Sequence, residues 1–287
     1  MKRMLPVLCL LLAACVAPPA AAPTDVPATA APTAPPFVPT DAPAGAEPTA
    51  APVPTVAGTL PLEALAPERI EFAAEDGTPL VGTYFPPAQP EAPGVVLVHM
   101  LNRSREDWLT NRVAIMLQGG AVADASVEGR SYAVLTVDLR GHGESGGERD
   151  RSAYPMDVVA ALNALQQMDA VDPENIALVG ASIGADSVVS ACGEGCVGAV
   201  SISPGGFTGT PYDQALGALG DKPVLCVAAE NDAPSPAACE SGRGVGLSNY
   251  VYQEYEGGAH GTALFEADVE PSLLTVLIEW LDAHLTQ

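Results

Sequence analysis

The chain has 287 residues, with 35 Asp and Glu against 12 Lys and Arg, a formal net charge of −23. A surface this acidic repels phosphate backbones, which argues against a nucleic-acid partner. After the first fifteen residues there is no Gly-X-Y period, no sustained heptad and no apolar run of membrane-spanning length, which excludes a collagen, a coiled coil and a polytopic membrane protein.

Met1-Lys2-Arg3-Met4 is a short positive start, and Leu5–Ala14 is an apolar run too short to span a bilayer. Charge followed by such a run is the grammar of a secretory signal. The run ends in Leu12-Ala13-Ala14-Cys15, which resembles the bacterial lipoprotein signal. That resemblance implies removal of residues 1–14, acylation of Cys15 and a lipid anchor. The protein is then expected in the bacterial cell envelope, on the outer side of the cytoplasmic membrane or at the cell surface. Two or more acyl chains on one residue suffice for stable anchoring. Val16–Gly58 holds 43 residues, of which 14 are Ala, 12 Pro and 6 Thr. Such a stretch has almost nothing to bury and is expected to form a disordered tether over 15–58, extended by its prolines. Residues 59–287 suffice for one domain with a sizeable core. They carry 10 Lys and Arg against 32 Asp and Glu, which reads as a solubility device.

Within that domain Arg69–Ala74 and Leu80–Phe85 flank the turn signal Glu75-Asp76-Gly77 and predict a hairpin. Val95–His99, Ala133–Val137, Ile176–Val179, Val197–Ile202 and Val224–Ala228 are continuous, valine-rich apolar runs, the pattern of strands buried on both faces of a parallel sheet. Val251–Tyr255 predicts an eighth strand. Helices are predicted over Asp107–Leu117, Tyr154–Met168, Ile183–Ala191, Tyr212–Leu219 and Val269–Leu285, the last with Leu273, Leu274, Leu277, Ile278 and Leu281 on one face. This alternation predicts an α/β fold with a mostly parallel, doubly wound sheet of about eight strands and helices on both faces. Reactive groups in such sheets lie at the carboxyl ends of the strands.

At one such end Gly180-Ala181-Ser182-Ile183-Gly184 stands between a strand and a helix, the G-x-S-x-G nucleophile elbow. Gly143-Glu144-Ser145-Gly146-Gly147 also fits the pattern, but no strand leads directly into it and no helix begins at Ser145; it reads as a glycine-rich loop. A serine nucleophile needs a base, and the base an orienting acid. Of the histidines beyond Ser182, His284 sits near the end of the terminal helix and reads as a cap or a solvated residue. His260 lies in the Gly257-Gly258-Ala259-His260-Gly261 loop and is the candidate base. Asp232 and Glu230 both follow the Val224–Ala228 strand; Asp232, deeper in the loop, is the preferred acid and Glu230 the alternative. Asp138 precedes the nucleophile and Asp157 opens a helix, so both are weaker choices. The oxyanion of acyl transfer needs two backbone N–H donors. One is assigned to Ile183 and the other to Leu101, with Met100 as the alternative.

Together Val95–His99, Val137–Ser145, Gly180–Gly184, Glu230–Asp232 and Gly258–Gly261 resemble the α/β-hydrolase superfamily over the whole domain, in particular its dienelactone-hydrolase-like and acyl-peptidase-like esterases. The resemblance implies ester or amide hydrolysis through an acyl-serine, with no cofactor and no metal. It also implies departures. Many relatives have Gly where Met100 stands, dienelactone hydrolases proper use Cys where Ser182 stands, and Gln118–Ser131 reads as an insertion beside the site. The short Ser203–Pro211 connection predicts no large lid.

Four cysteines remain in the domain. Cys192 with Cys196 and Cys226 with Cys239 is the favoured disulfide pairing for an exported protein. Free thiols and a zinc site built from all four thiolates are the alternatives, the latter lacking C-x-x-C knuckles. The sequence reading is thus a membrane-tethered serine hydrolase acting on a small-molecule carboxylic ester, with no nucleic acid and no obligate protein partner. An amidase or peptidase with the same triad, or a non-catalytic binding module on the same fold, are its rivals.

Overall fold

The computed structural model describes residues 65–119 and 131–286. The expected signal peptide, Cys15, the tether over 15–58 and residues 120–130 of the expected insertion lie outside the described residues.

Eight strands build one sheet: β1 (Glu68–Ala73), β2 (Pro79–Phe85), β3 (Ala92–Val98), β4 (Ala133–Asp138), β5 (Val171–Ala181), β6 (Cys196–Ile202), β7 (Val224–Ala229) and β8 (Tyr250–Tyr255). Their spatial order is β1-β2-β4-β3-β5-β6-β7-β8. β2 pairs antiparallel with both β1 and β4, and every pairing from β4 to β8 is parallel. The central strands are buried along their length because both faces of the sheet are covered. Side chains alternate across the pleat. Val96 and Val98 join the core beneath α3 (Tyr154–Gln166), α4 (Ile183–Ala191), α5 (Tyr212–Ala218) and α6 (Ser235–Val245). Val95 and Leu97 join the opposite core, beneath α1 (Asp107–Thr110), α2 (Val113–Gln118) and α7 (Leu273–His284). Among the described residues no helix is long and apolar enough to cross a membrane.

The helices differ from the sequence expectation in three places. The single helix predicted over Asp107–Leu117 is two, α1 and α2, broken where Arg112 adopts a left-handed backbone with φ 64°. The Asn111 side chain accepts the Val113 N–H at 3.1 Å, a local bond that competes with helix continuation. α6 has no counterpart in the sequence reading. Its eleven residues include one Pro and two Gly, and it buries only Ser235, Cys239 and Gly242. The terminal helix also starts later than expected, after the Ser272 side chain caps the Thr275 N–H.

The strand order places a crevice. Moving from β3, the chain steps to β4 on one side and then crosses to β5 on the other. The loops that leave the carboxyl ends of β3 and β5 therefore diverge, and the gap between them is the topological switch point where doubly wound sheets bind ligands.

Candidate active site

Ser182 follows the last residue of β5 and precedes the first of α4. Its backbone lies at φ 55°, ψ −116°, a strained conformation for a non-glycine residue. The surroundings leave no room to relax it. A β-carbon on Gly180 would stand 2.2 Å from the Gly184 carbonyl oxygen, and one on Gly184 would stand 2.5 Å from the Val98 carbonyl oxygen. The two glycines thus let β5 turn into α4 while α4 presses against the end of β3. The serine hydroxyl is left at the mouth of the crevice.

Ser182 Oγ lies 2.8 Å from His260 Nε2. On the other side of the ring, Nδ1 lies 2.8 and 3.0 Å from the two carboxylate oxygens of Asp232. Asp232 is 7% exposed, whereas the His260 side chain is 40% exposed. One carboxylate therefore orients a ring that remains open to an incoming group. The Asp232 loop is itself well tied. Asp232 donates its N–H to the Ala229 carbonyl, and Asn231 and Glu230 donate theirs to the Gly257 and Tyr255 carbonyls. A disulfide between Cys226 and Cys239 spans the loop, and a second joins Cys192 to Cys196.

The other carboxylates are engaged elsewhere. Glu230 Oε1 accepts from the Asn231 side chain and the Gly257 N–H on the surface. Asp138 is fully buried and accepts from the Arg105 backbone and guanidinium and from the Glu144 N–H. Asp157, also fully buried, takes two nitrogens of the Arg140 guanidinium and the Arg140 N–H. Burial pushes the Asp157 pKa up, against those bonds. Ser145 Oγ accepts the Val81 N–H and donates to the Asp138 carbonyl, so it staples the glycine-rich loop to β2. His284 donates Nδ1–H to the Trp280 carbonyl at 2.7 Å, one turn back on α7.

The loop after β3 is shaped by His99, which is buried completely. Its Nε2 accepts the Leu139 N–H at 3.0 Å and its Nδ1–H donates to the Met100 carbonyl at 2.7 Å, which fixes the neutral tautomer. Burial pushes its pKa down to about 4. The Met100 carbonyl also accepts the Arg103 N–H. In a trans peptide the N–H opposes the carbonyl, so the Leu101 N–H points away from the His99 ring. Among the described residues neither the Leu101 nor the Ile183 N–H has an acceptor. Met100 does not close this loop: its side chain lies against Gly261, where a β-carbon would come within 2.1 Å of the Met100 sulfur.

Three neighbours of the site escaped the sequence reading. Ser203, at the end of β6, accepts the Gly261 N–H through its hydroxyl at 2.9 Å. Phe207 sets its ring edge-on to His260. Asp186, one turn after Ser182 on α4, accepts the Gly205 and Phe207 N–H groups. The Gly205-Gly206 pair ahead of Phe207 was the available signal that backbone there packs closely.

A family model described as the alpha/beta hydrolase fold matches residues 95–191, which span β3 to the end of α4. A Salmonella typhi protein, YfhR, itself uncharacterized, is 28% identical over 157 residues. That match takes 51% of this chain and 46% of the relative, so the chain spans about half the length of that relative. Among solved structures, the Pyrococcus furiosus esterase Pf2001 superposes with a TM-score of 0.61 at 17% identity, over 81% of this chain and 97% of that one. EstE1, a thermostable carboxylesterase cloned from a metagenomic library, superposes with a TM-score of 0.58 at 16% identity, over 77% and 90%. With the strand order and the elbow at the switch point, these likenesses establish that the chain has the α/β-hydrolase fold.

Proposed function

We propose that this protein is a serine hydrolase that cleaves carboxylic esters of small molecules through an acyl-serine intermediate. The observation that carries the reading is the unbroken hydrogen-bonded line from Ser182 through His260 to Asp232 at the switch point. Ser182 Oγ attacks the acyl carbonyl while its proton passes to His260 Nε2. The carbonyl oxygen becomes an oxyanion, received by the Ile183 and Leu101 N–H groups. Collapse expels the alkoxide, which takes the proton from His260 and leaves as the alcohol. Water then adds to the acyl-serine with His260 as base, and a second collapse returns Ser182 and releases the acid. Asp232 holds the ring in the tautomer that presents Nε2 to the serine and stabilises the imidazolium that forms. That solved structural neighbours are an esterase and a carboxylesterase favours esters over amides.

We further propose that the enzyme is held at the cell envelope through acylated Cys15 and the Ala, Pro and Thr-rich tether, on the lipoprotein-like Leu12-Ala13-Ala14-Cys15. The test of the chemistry is labelling by a fluorophosphonate probe, wild type beside Ser182→Ala, with a p-nitrophenyl ester series on the same samples. Labelling and turnover that vanish together in the variant support the reading. A folded wild type that neither labels nor hydrolyses any ester overturns it. For the anchor, Cys15→Ala is expected to abolish incorporation of radiolabelled palmitate and to release the protein from the membrane fraction.

A further inference from the structure

The loop after β6 meets the His260 segment at two points. Ser203 holds the residue after His260, and the Phe207 ring meets the His260 ring with centroids 6.5 Å apart and planes at 78°. The placement of Phe207 is built rather than incidental. Asp186, 2% exposed, accepts the Gly205 N–H at 3.2 Å and the Phe207 N–H. Its buried carboxylate thus clamps both ends of the three-residue bend Gly205-Gly206-Phe207. Gly205 makes space for the ring: a β-carbon there would stand 2.3 Å from Phe207 Cζ. The ring folds back over Gly205, packs on the core beneath α4 and α5, and stays half-buried beside the open His260 side chain.

The chemistry says which part of a substrate passes this ring. The leaving-group oxygen must take its proton from His260 Nε2, so the alcohol portion of the ester lies on the His260 side. We infer that Phe207, clamped by Asp186 and seated over Gly205, walls the leaving-group side of the site and favours esters of aryl and other flat, apolar alcohols over those of small alkyl alcohols. Phe207 is the specificity-determining residue and Asp186 its positioning residue. This inference rests on the serine-hydrolase reading above.

The test uses one acyl group, the one cleaved fastest in the p-nitrophenyl series, on ethyl, phenyl and 1-naphthyl alcohols. With an acyl-enzyme intermediate, kcat/KM reports the steps in which the alcohol is still present, whereas deacylation is common to all three esters. Phe207→Ala is expected to lose about tenfold in kcat/KM on the two aryl esters, the size of one aromatic contact, and less than about threefold on the ethyl ester. Deacylation should be unchanged. Phe207→Leu, which keeps apolar bulk without a flat ring, should fall between. Asp186→Asn should erode the aryl preference in the same direction, because an amide group facing the Phe207 N–H cannot hold the bend as a carboxylate does. An equal loss on all three esters, or slower deacylation, means that Phe207 only braces His260 and overturns the inference. An unchanged preference in a Phe207→Ala enzyme that still labels with fluorophosphonate overturns it and spares the hydrolase reading. A wild type that neither labels nor turns over overturns both.

Discussion

The Gly261 N–H donates to the Ser203 hydroxyl at 2.9 Å, tying the end of β6 to the residue after His260 across 58 positions of sequence. Ser203 is fully buried and sits at φ 57°, so the fold holds a strained residue where this hydroxyl is needed. Ser203→Ala leaves the Gly261 N–H without its acceptor and should cost about 1–3 kcal/mol in stability. It should also lower kcat with little change in KM, since the loop that orients His260 is loosened. Denaturant titration and steady-state kinetics on one preparation check both. Full stability with unchanged kcat would disconnect Ser203 from the histidine.

Two acidic residues two positions apart should behave very differently. Asp232 meets His260 Nδ1 through both oxygens, whereas Glu230 meets only Asn231 and Gly257. Asp232→Asn can present an N–H to Nδ1 and so favour the wrong tautomer, with a loss in kcat on the order of a thousandfold to ten-thousandfold. Glu230→Gln should stay within about twofold of wild type, because its bonds are solvent-exposed and survive the change. A matched ester assay decides; a Glu230→Gln loss as deep as that of Asp232→Asn would reassign the acid.

The pattern of what the sequence disclosed follows from how local each feature is. Ser182 was legible because an elbow demands glycine at 180 and 184, and the clashes a β-carbon would meet there show why. The central strands were legible because burial on both faces requires continuous apolar runs. α6 was not, since Cys239 and Gly242 provide little apolar face; Gly242 instead lets the Tyr250 ring approach and donate its hydroxyl to the Cys239 carbonyl. The break at Arg112 was hidden because arginine does not advertise a left-handed backbone. Asp186, Ser203 and Phe207 act through contacts made by separate segments, which no spacing along the chain encodes.

Loss of the Cys226–Cys239 disulfide should affect catalysis as well as stability. Cys226 in β7 and Cys239 in α6 are joined across 13 residues of sequence, and Asp232 lies between them. Closing a loop of this length stabilises by about 3 kcal/mol in the chain-entropy account. Cys226→Ala with Cys239→Ala should lower the unfolding free energy by about that amount and reduce kcat more than it raises KM. The other disulfide, Cys192–Cys196, closes only four positions and lies beyond the far end of α4 from Ser182. Cys192→Ala with Cys196→Ala should leave kcat nearly unchanged. Equal effects of the two pairs on kcat would remove the special place of the Asp232 loop.

Buried, neutral His99 makes the domain less stable as the pH falls. It is fully buried, and burial moves its pKa from the ordinary 6.5 to about 4, with His142 and Arg149 adding to the shift and the Met100 carbonyl and Asp138 opposing it. The unfolded chain therefore binds a proton near pH 6.5 that the folded chain refuses until about pH 4. Stability contributed by neutral His99 is complete above the unfolded pKa, falls as pH drops through this window, and reaches a loss of about 3 kcal/mol at its lower end. Burial raises the pKa of Asp107, Asp157 and Asp186, and raised carboxylates act in the opposite sense. Wild type alone would mix the two. His99→Gln removes only the histidine, so its unfolding free energy should lie below wild type at pH 8 and the gap should narrow steadily between pH 6.5 and 4. Parallel pH profiles for the two proteins would show that His99 is protonated as readily in the fold as outside it. The loop carrying Leu101 would then lose the neutral clamp described for it.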